Sequence, residues 1–319
     1  MPYFMMSSRK LSAGEPGDDL NDAMNYYVAA DGSVGRLTKF STWVKVTDAD
    51  FRKQLATLGS NFPAFLDEAN EKQKHISLFV HGYNTGWDDA AERYGDLCQR
   101  LYSGANSLGA LVLYTWPSND SVAGYLPDRE DARASAPLLA DALVTLYDHI
   151  VGMQRLAESD PAKQCKAKIS VIAHSMGNYV MQKALAIAAK KLNSPQLITL
   201  IHQLVMVAAD VDNDIFQKDQ PDASDGSLMA NLCYRIGALY TGLDQVLGAS
   251  AGVKHFGARR LGRSGIANRT GVWDNVFDLD VSDLIDTKKS IHLAALESPK
   301  SIALIRKILV GIDRRFLES

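Results

Sequence analysis

From residue 76 onward, short runs of consecutive apolar residues alternate with longer stretches in which apolar residues recur every three or four positions. The runs are Ile76–Val80, Ala110–Tyr114, Ile169–Ala173, Leu204–Ala209 and Leu232–Tyr240, the last interrupted by Arg235 and Gly237. Uniformly apolar runs of this length read as strands buried on both faces. A final run, Asn275–Val281, alternates instead. The helical stretches between and after them are Asp88–Tyr102, Arg129–Gly152, Met176–Leu192, Asp244–Ala249 and Lys300–Phe316. Strands alternating with helices signal βαβ units and hence a mostly parallel sheet flanked by helices. Two stretches break the rhythm. Ser118–Asp128 is polar with Gly and Pro, and Ala251–Val272 is rich in Gly and basic residues. Both read as loops at the carboxyl edge of the sheet, where open parallel sheets bind their ligands.

The first 75 residues have a different texture. Tyr3–Ser8, Asn25–Ala29 and Trp43–Val46 are short β-prone runs, and Gly14–Asp22, rich in Gly and Asp, reads as a loop. Phe51–Leu58 is helical in pattern, with Asp48 or Asp50 as its N-cap, and Pro63–Glu71 reads as a second short helix. The expected organisation is an N-terminal extension of strands and short helices, 1–75, packed on one catalytic α/β domain, 76–319. A chain of 319 residues with 46% hydrophobic content supplies a core of that size.

Charge narrows the function. Charged residues make up 22% of the chain and the net charge is -3, without the basic stripe of a nucleic-acid binder. The clusters Lys190–Lys191 and Arg259–Arg260 are short and read as solvated ends or loops. Cys98, Cys165 and Cys233 are odd in number and far apart, which argues for free thiols rather than disulfides or a metal site. Met1–Lys10 lacks the charged and apolar regions of a secretory leader, and no apolar stretch reaches the ~20 residues of a membrane span. The expected location is the cytoplasm.

The densest chemical signal is Ile169-Ser-Val-Ile-Ala-His-Ser175-Met-Gly-Asn, a buried strand running straight into a helix with a serine at the junction. Ala173 and Gly177 lie two residues to either side. Small residues are needed there because a sharp strand-to-helix turn brings two backbones together, lifting the hydroxyl clear as a nucleophile. The Met176 N–H, at the start of the helix, suits an oxyanion. A second strand ends in Val80-His81-Gly82-Tyr83-Asn84, and the loop after it supplies the other oxyanion donor, the Tyr83 N–H. His81 reads as a structural hydrogen-bonding residue rather than a base.

A nucleophilic serine needs a histidine downstream and an acid between them. His202 enters a strand at its amino end and His255 lies in the glycine-rich loop. His292, after the last strand and before the final helix, is best placed as the base. For the acid, Asp244 follows Tyr240-Thr-Gly-Leu, and Asp210 closes the preceding strand as the alternative. Asp210-Val-Asp212-Asn-Asp214 begins like a calcium loop, but its sixth position is Ile215 and its twelfth Pro221, so no metal is expected. His174 beside the nucleophile, with Tyr125, Leu126 and Phe256 in the two flanking loops, is expected to line the substrate.

His81-Gly-Tyr-Asn, Tyr114-Thr-Trp-Pro-Ser, Tyr125 with Asp128 and Ser135, Ala173-His-Ser-Met-Gly-Asn, Ala209-Asp-Val-Asp and Tyr240-Thr-Gly-Leu-Asp244 together resemble a bacterial family of predicted esterases within the α/β-hydrolase superfamily. The likeness spans roughly residues 76–295. It implies the α/β-hydrolase fold, with Ser175, Asp244 and His292 as a triad. The expected activity is hydrolysis of a small-molecule carboxylic ester through an acyl-enzyme, without a cofactor. Lipase, thioesterase and amidase chemistry use the same machinery, and a hydrolase-fold protein that only binds a ligand or partner is the alternative outside catalysis.

Overall fold

In the computed structural model, described for all residues except 64–72, 120–123, 161–162, 164, 193–198, 255–256, 289 and 318–319, one nine-stranded sheet organises the chain. The N-terminal part contributes β1 (Tyr3–Ser12), β2 (Glu15–Ala29), β3 (Val44–Val46) and α1 (Asp48–Ser60). Strand and helix then alternate through β4 (His75–Val80), α2 (Trp87–Leu101), β5 (Gly109–Thr115), α3 (Tyr125–Ser159), β6 (Lys168–His174), α4 (Gly177–Leu192) and β7 (Ile201–Val207). The chain continues through α5 (Asp225–Leu232), β8 (Cys233–Tyr240), α6 (Gln245–Ala249), α7 (Leu261–Ser264), β9 (Val276–Asp280), α8 (Ile291–Glu297) and α9 (Pro299–Leu309).

The strand order is β3-β2-β1-β5-β4-β6-β7-β8-β9. Only β2 runs against the others, antiparallel to both β1 and β3, while β1 joins β5 in parallel. The order decides where a site forms. From β4 the chain steps outward to β5, then returns to the other side of β4 for β6 and winds on to β9. The carboxyl ends of β4 and β6 therefore flank the switch point, the place where open α/β sheets bind their ligands. Apolar side chains pack both faces. Leu139, Val180, Leu185 and Met206 belong to the core under α3 and α4, and Phe79, Leu113, Ile305 and Leu309 to the core under α2 and α9.

The pattern of runs gives the expected mostly parallel sheet between helical layers, with shifts that have local causes. Gly14–Asp22 is not a loop. Only Ala13 and Gly14 turn, both at positive φ (49° and 87°), the backbone that a two-residue hairpin requires, and the polar segment after them continues β2. The N-cap of α1 is Thr47, whose hydroxyl accepts the Asp50 N–H, rather than either aspartate. The stretch Ser118–Asp128 is not loop throughout, because α3 starts at Tyr125 with Asp128 in its first turn, where a carboxylate favours a helix start. His292 lies in the first turn of α8 rather than on a loop. The helix expected to reach Phe316 ends at Leu309, with Gly311 at φ 86° two residues on. The helix expected at Pro63–Glu71 lies outside the described residues, apart from Pro63.

Candidate active site

Ser175 follows β6 directly and has φ +52°, a left-handed backbone that costs a residue with a side chain ~1–3 kcal/mol. Surrounding contacts hold it there. Its N–H donates to the Val207 carbonyl at 3.0 Å, and its own carbonyl accepts the Asp210 N–H at 3.2 Å. Asn178 donates its side-chain amide to the Ala173 and Ser175 carbonyls at 3.0 and 3.1 Å. The need for a small residue at 177 is literal. A Cβ on Gly177 would sit 2.4 Å from the His81 carbonyl oxygen and 2.5 Å from that of Val80. The turn at Ser175 thus presses against the end of β4.

His292 bridges the serine and an acid. Its Nε2 lies 2.8 Å from Ser175 Oγ and its Nδ1 2.7 Å from Asp244 Oδ2. A carboxylate only accepts, so Nδ1 carries the proton and Nε2 faces the hydroxyl as an acceptor. Asp244 is fully buried and anchored at its other oxygen, which accepts the Leu247 N–H at 3.0 Å as the N-cap of α6. The imidazole keeps a window to solvent, with 12% of its side chain exposed.

The second aspartate is engaged elsewhere. Asp210 Oδ2 accepts from Tyr125 Oη at 2.7 Å, Oδ1 accepts from Ser250 Oγ at 2.9 Å, and the buried Arg260 guanidinium lies 3.7 Å from Oδ1. Burial and the Asp210 charge both push the Tyr125 phenol well above its ordinary pKa, so it remains a donor. Tyr125 is therefore a buried strut whose ring meets that of Tyr83 edge-on at 5.5 Å. Its neighbour Leu126 is 62% exposed. His255 and Phe256 lie outside the described residues.

His174, buried under His292 with ring centroids 4.9 Å apart, has its Nε2 3.0 Å from the His292 carbonyl. That carbonyl only accepts, so Nε2 donates. Desolvation first, and the neighbouring His292 second, hold its pKa well below the usual imidazole range, so it stays neutral. It ties His292 to the strand that leads into Ser175.

The loop after β4 makes the opposite wall. A Cβ on Gly82 would lie 2.7 Å from that of Ser175, so only glycine lets the loop approach. His81 Nδ1 lies 3.0 Å from the Gly82 carbonyl oxygen, and its Nε2 faces the Trp116 N–H at 3.2 Å. Since Nε2 must accept, Nδ1 donates and fixes that carbonyl. The peptide is trans, so the Tyr83 N–H points away from His81. Asp128, fully buried, ties this loop to its neighbour. It accepts from the Asn84 N–H at 3.3 Å, Ser118 Oγ at 2.6 Å and the Asn119 N–H at 2.9 Å. The motif around Tyr125, Asp128 and Ser135 was visible in the sequence, but nothing in it said what Asp128 would hold.

Residues 60–310 match the profile of a family described as alpha/beta hydrolase of unknown function (DUF900). The chain belongs to that family. Ser175 and the loop that starts at His81 stand at the carboxyl edge of the mostly parallel sheet. A curated relative, the uncharacterized protein alr1448 of Nostoc sp., is 29% identical over 132 residues. That match takes in 35% of this chain and 31% of the relative. Among solved structures, the chain is similar to the esterase of Pyrobaculum calidifontis, at 14% identity over 75% of this chain and 77% of that one, TM-score 0.37. It is also similar to lipase B of Aspergillus fumigatus, at 12% identity over 95% of this chain and 62% of that one, TM-score 0.41. Among the described residues, no helix is long and apolar enough to cross a membrane.

Proposed function

We propose that this α/β hydrolase is a serine esterase that cleaves carboxylic esters through an acyl-enzyme on Ser175. The observation that carries the reading is the continuous line Ser175 Oγ, His292, Asp244, with contacts of 2.8 and 2.7 Å. His292 Nε2 takes the hydroxyl proton as Ser175 attacks the ester carbon. Asp244 holds the reactive tautomer and stabilises the imidazolium, while the Met176 and Tyr83 N–H groups stabilise the oxyanion. His292 then protonates the departing alcohol, and water releases the acid by the same steps in reverse. No cofactor enters the scheme.

The substrate is a small molecule with a small or medium acyl group. Leu126 and the Tyr83 ring supply the apolar contacts, with Tyr125 buried behind Tyr83 as a strut, while His174 positions the base. Residues 1–75 act as an extension on the catalytic core 76–319. The free cysteines, Cys98 and Cys233 buried and Cys165 partly so, favour a reducing compartment such as the cytoplasm. The test is a p-nitrophenyl ester panel from acetyl to palmitoyl, run beside Ser175→Ala. Turnover of short and medium esters that vanishes in the variant supports the assignment. Equal turnover by the variant contradicts it.

A further inference from the structure

We propose that Arg9, on the strand that opens the chain, is a positioning residue of the oxyanion loop, so that a segment outside the family-matched region forms part of the catalytic apparatus. The inference rests on the reading of Ser175 as nucleophile with Tyr83 as an oxyanion donor. Residues 60–310 match the family, yet the end of β1 reaches into the site.

Arg9 is a fully buried guanidinium, and the register of β1 against β2 shifts on either side of it. Such irregularities re-aim a side chain. Its Nε donates to Thr115 Oγ1 at 2.8 Å and its NH2 group to the Thr85 carbonyl at 2.7 Å, while NH1 donates to the Gly17 carbonyl at 3.1 Å and Asp18 Oδ1 at 3.2 Å. Thr85 is the far end of the loop that starts at His81. Thr115 reaches the near end, with its Oγ1 3.1 Å from His81 Nε2.

Donor counting makes the direction unambiguous. Arg9 can only donate, so Thr115 Oγ1 accepts from it and is free to turn its own hydrogen to His81 Nε2. That nitrogen also faces the Trp116 N–H, so the ring proton sits on Nδ1 and goes to the Gly82 carbonyl. The chain of donors therefore runs from a buried charge, through a hydroxyl and an imidazole, to the peptide whose N–H belongs to Tyr83. Hydrogen bonds in series polarise one another, which strengthens that N–H as well as orienting it. Burial pushes the Arg9 pKa down to about 10, which leaves it charged at neutral pH. Desolvation, with the Arg9 charge second, holds the His81 pKa well below the ordinary imidazole range, so its one proton stays on Nδ1.

The experiment uses the full chain with Arg9→Met, Arg9→Lys, Thr115→Val and Thr115→Ser. Removing an oxyanion donor outright costs roughly 10²–10³ in kcat, so loosening one is expected to cost about 10- to 100-fold. Arg9→Met and Thr115→Val lower kcat by that amount for p-nitrophenyl butyrate, per site titrated with a fluorophosphonate, with little change in KM. A trifluoromethyl ketone that mimics the tetrahedral intermediate loses affinity in proportion. Thr115→Ser, which keeps the hydroxyl, recovers most of the loss, and Arg9→Lys, with one charge but no fork, recovers only part. If Arg9→Met does not fold, the two threonine variants decide. Unchanged kcat and inhibitor affinity in folded Arg9→Met, or in Thr115→Val, overturn the proposal. Nitrogen-15 shifts of His81 test the network independently of turnover. A wild-type ring protonated on Nδ1 supports it, and one protonated on Nε2 refutes it even if no ester is cleaved.

Discussion

Strand β6 carries a serine–histidine pair near each end. Ser170, on the amino-terminal side, lies with its Oγ 2.9 Å from His75 Nδ1, and Ser175, at the carboxyl end, is 2.8 Å from His292 Nε2. The distances are equivalent and the surroundings are not. Ser170 sits in regular strand, and among the described residues no acid supports its histidine. Burial first, then the charges of neighbouring His202, Lys168 and Lys74, push the His75 pKa down to about 3. An imidazole that resists protonation so strongly cannot accept a hydroxyl proton near neutral pH. His292 has a carboxylate on its other nitrogen, partial solvent exposure and a serine raised on a strained turn beside a helix N-terminus. A serine next to a histidine is therefore not enough. On the proposed reading, the acid and the turn set Ser175 apart from Ser170.

The largest expected contrast lies between the two serines. Ser175→Ala should lower kcat on the order of 10⁶, the scale for loss of a triad nucleophile, while Ser170→Ala should leave kcat within a few-fold. Steady-state kinetics on p-nitrophenyl butyrate measure both. Next come the two buried aspartates. Asp244→Asn keeps the shape but removes the charge that stabilises the imidazolium, and a loss of about 10⁴ in kcat is expected. Asp210→Asn should leave kcat within about tenfold and instead lower stability by roughly 1–3 kcal/mol, because the buried hydrogen bonds from Tyr125 and Ser250 lose their charged acceptor and Arg260, which keeps Asp212 at 2.9 Å, loses its second acidic neighbour. Urea titration separates the two effects.

The histidine at the amino end predicts a pH effect on stability. His75 binds a proton readily when unfolded and poorly when folded, so the unfolded state takes up more protons as pH falls below the unfolded value near 6.5. Stability is therefore lost between about pH 6.5 and pH 3, by about 2 kcal/mol at pH 5 from this residue alone. Urea titrations of wild type and His75→Gln at pH 7 and pH 5 should show a shallower dependence in the variant. The smallest expected effect is that of Tyr125→Phe, which removes a buried hydrogen bond to Asp210 at a cost of ~1–2 kcal/mol and leaves Asp244 and His292 in place.

Much of this was legible before the structure. Continuous apolar runs specify strands buried on both faces, and chain order together with the family resemblance pointed to Ser175, Asp244 and His292, with Asp210 left open as the alternative acid; the structure brings the first three together. Short-range pattern failed where long-range contacts decide. The segment after Gly14 looked like loop because its Gly and Asp residues are poor strand formers, yet it pairs with β1. Arg9 would be read as a surface charge from its neighbours in sequence. Its burial depends on partners at residues 85 and 115. Asp128 and His174 hold backbone groups supplied by other elements, and no local spacing announces that role.

The central claim is that Ser175, and not another serine, is the activated nucleophile. Its most direct test is reaction of the full chain with a fluorophosphonate, followed by peptide mapping in a mass spectrometer. The account predicts one adduct, on the peptide that contains Ser175 and on that residue, and its near-complete loss in His292→Ala. An adduct on Ser170 or any other serine, or labelling of Ser175 undiminished in His292→Ala, would contradict it.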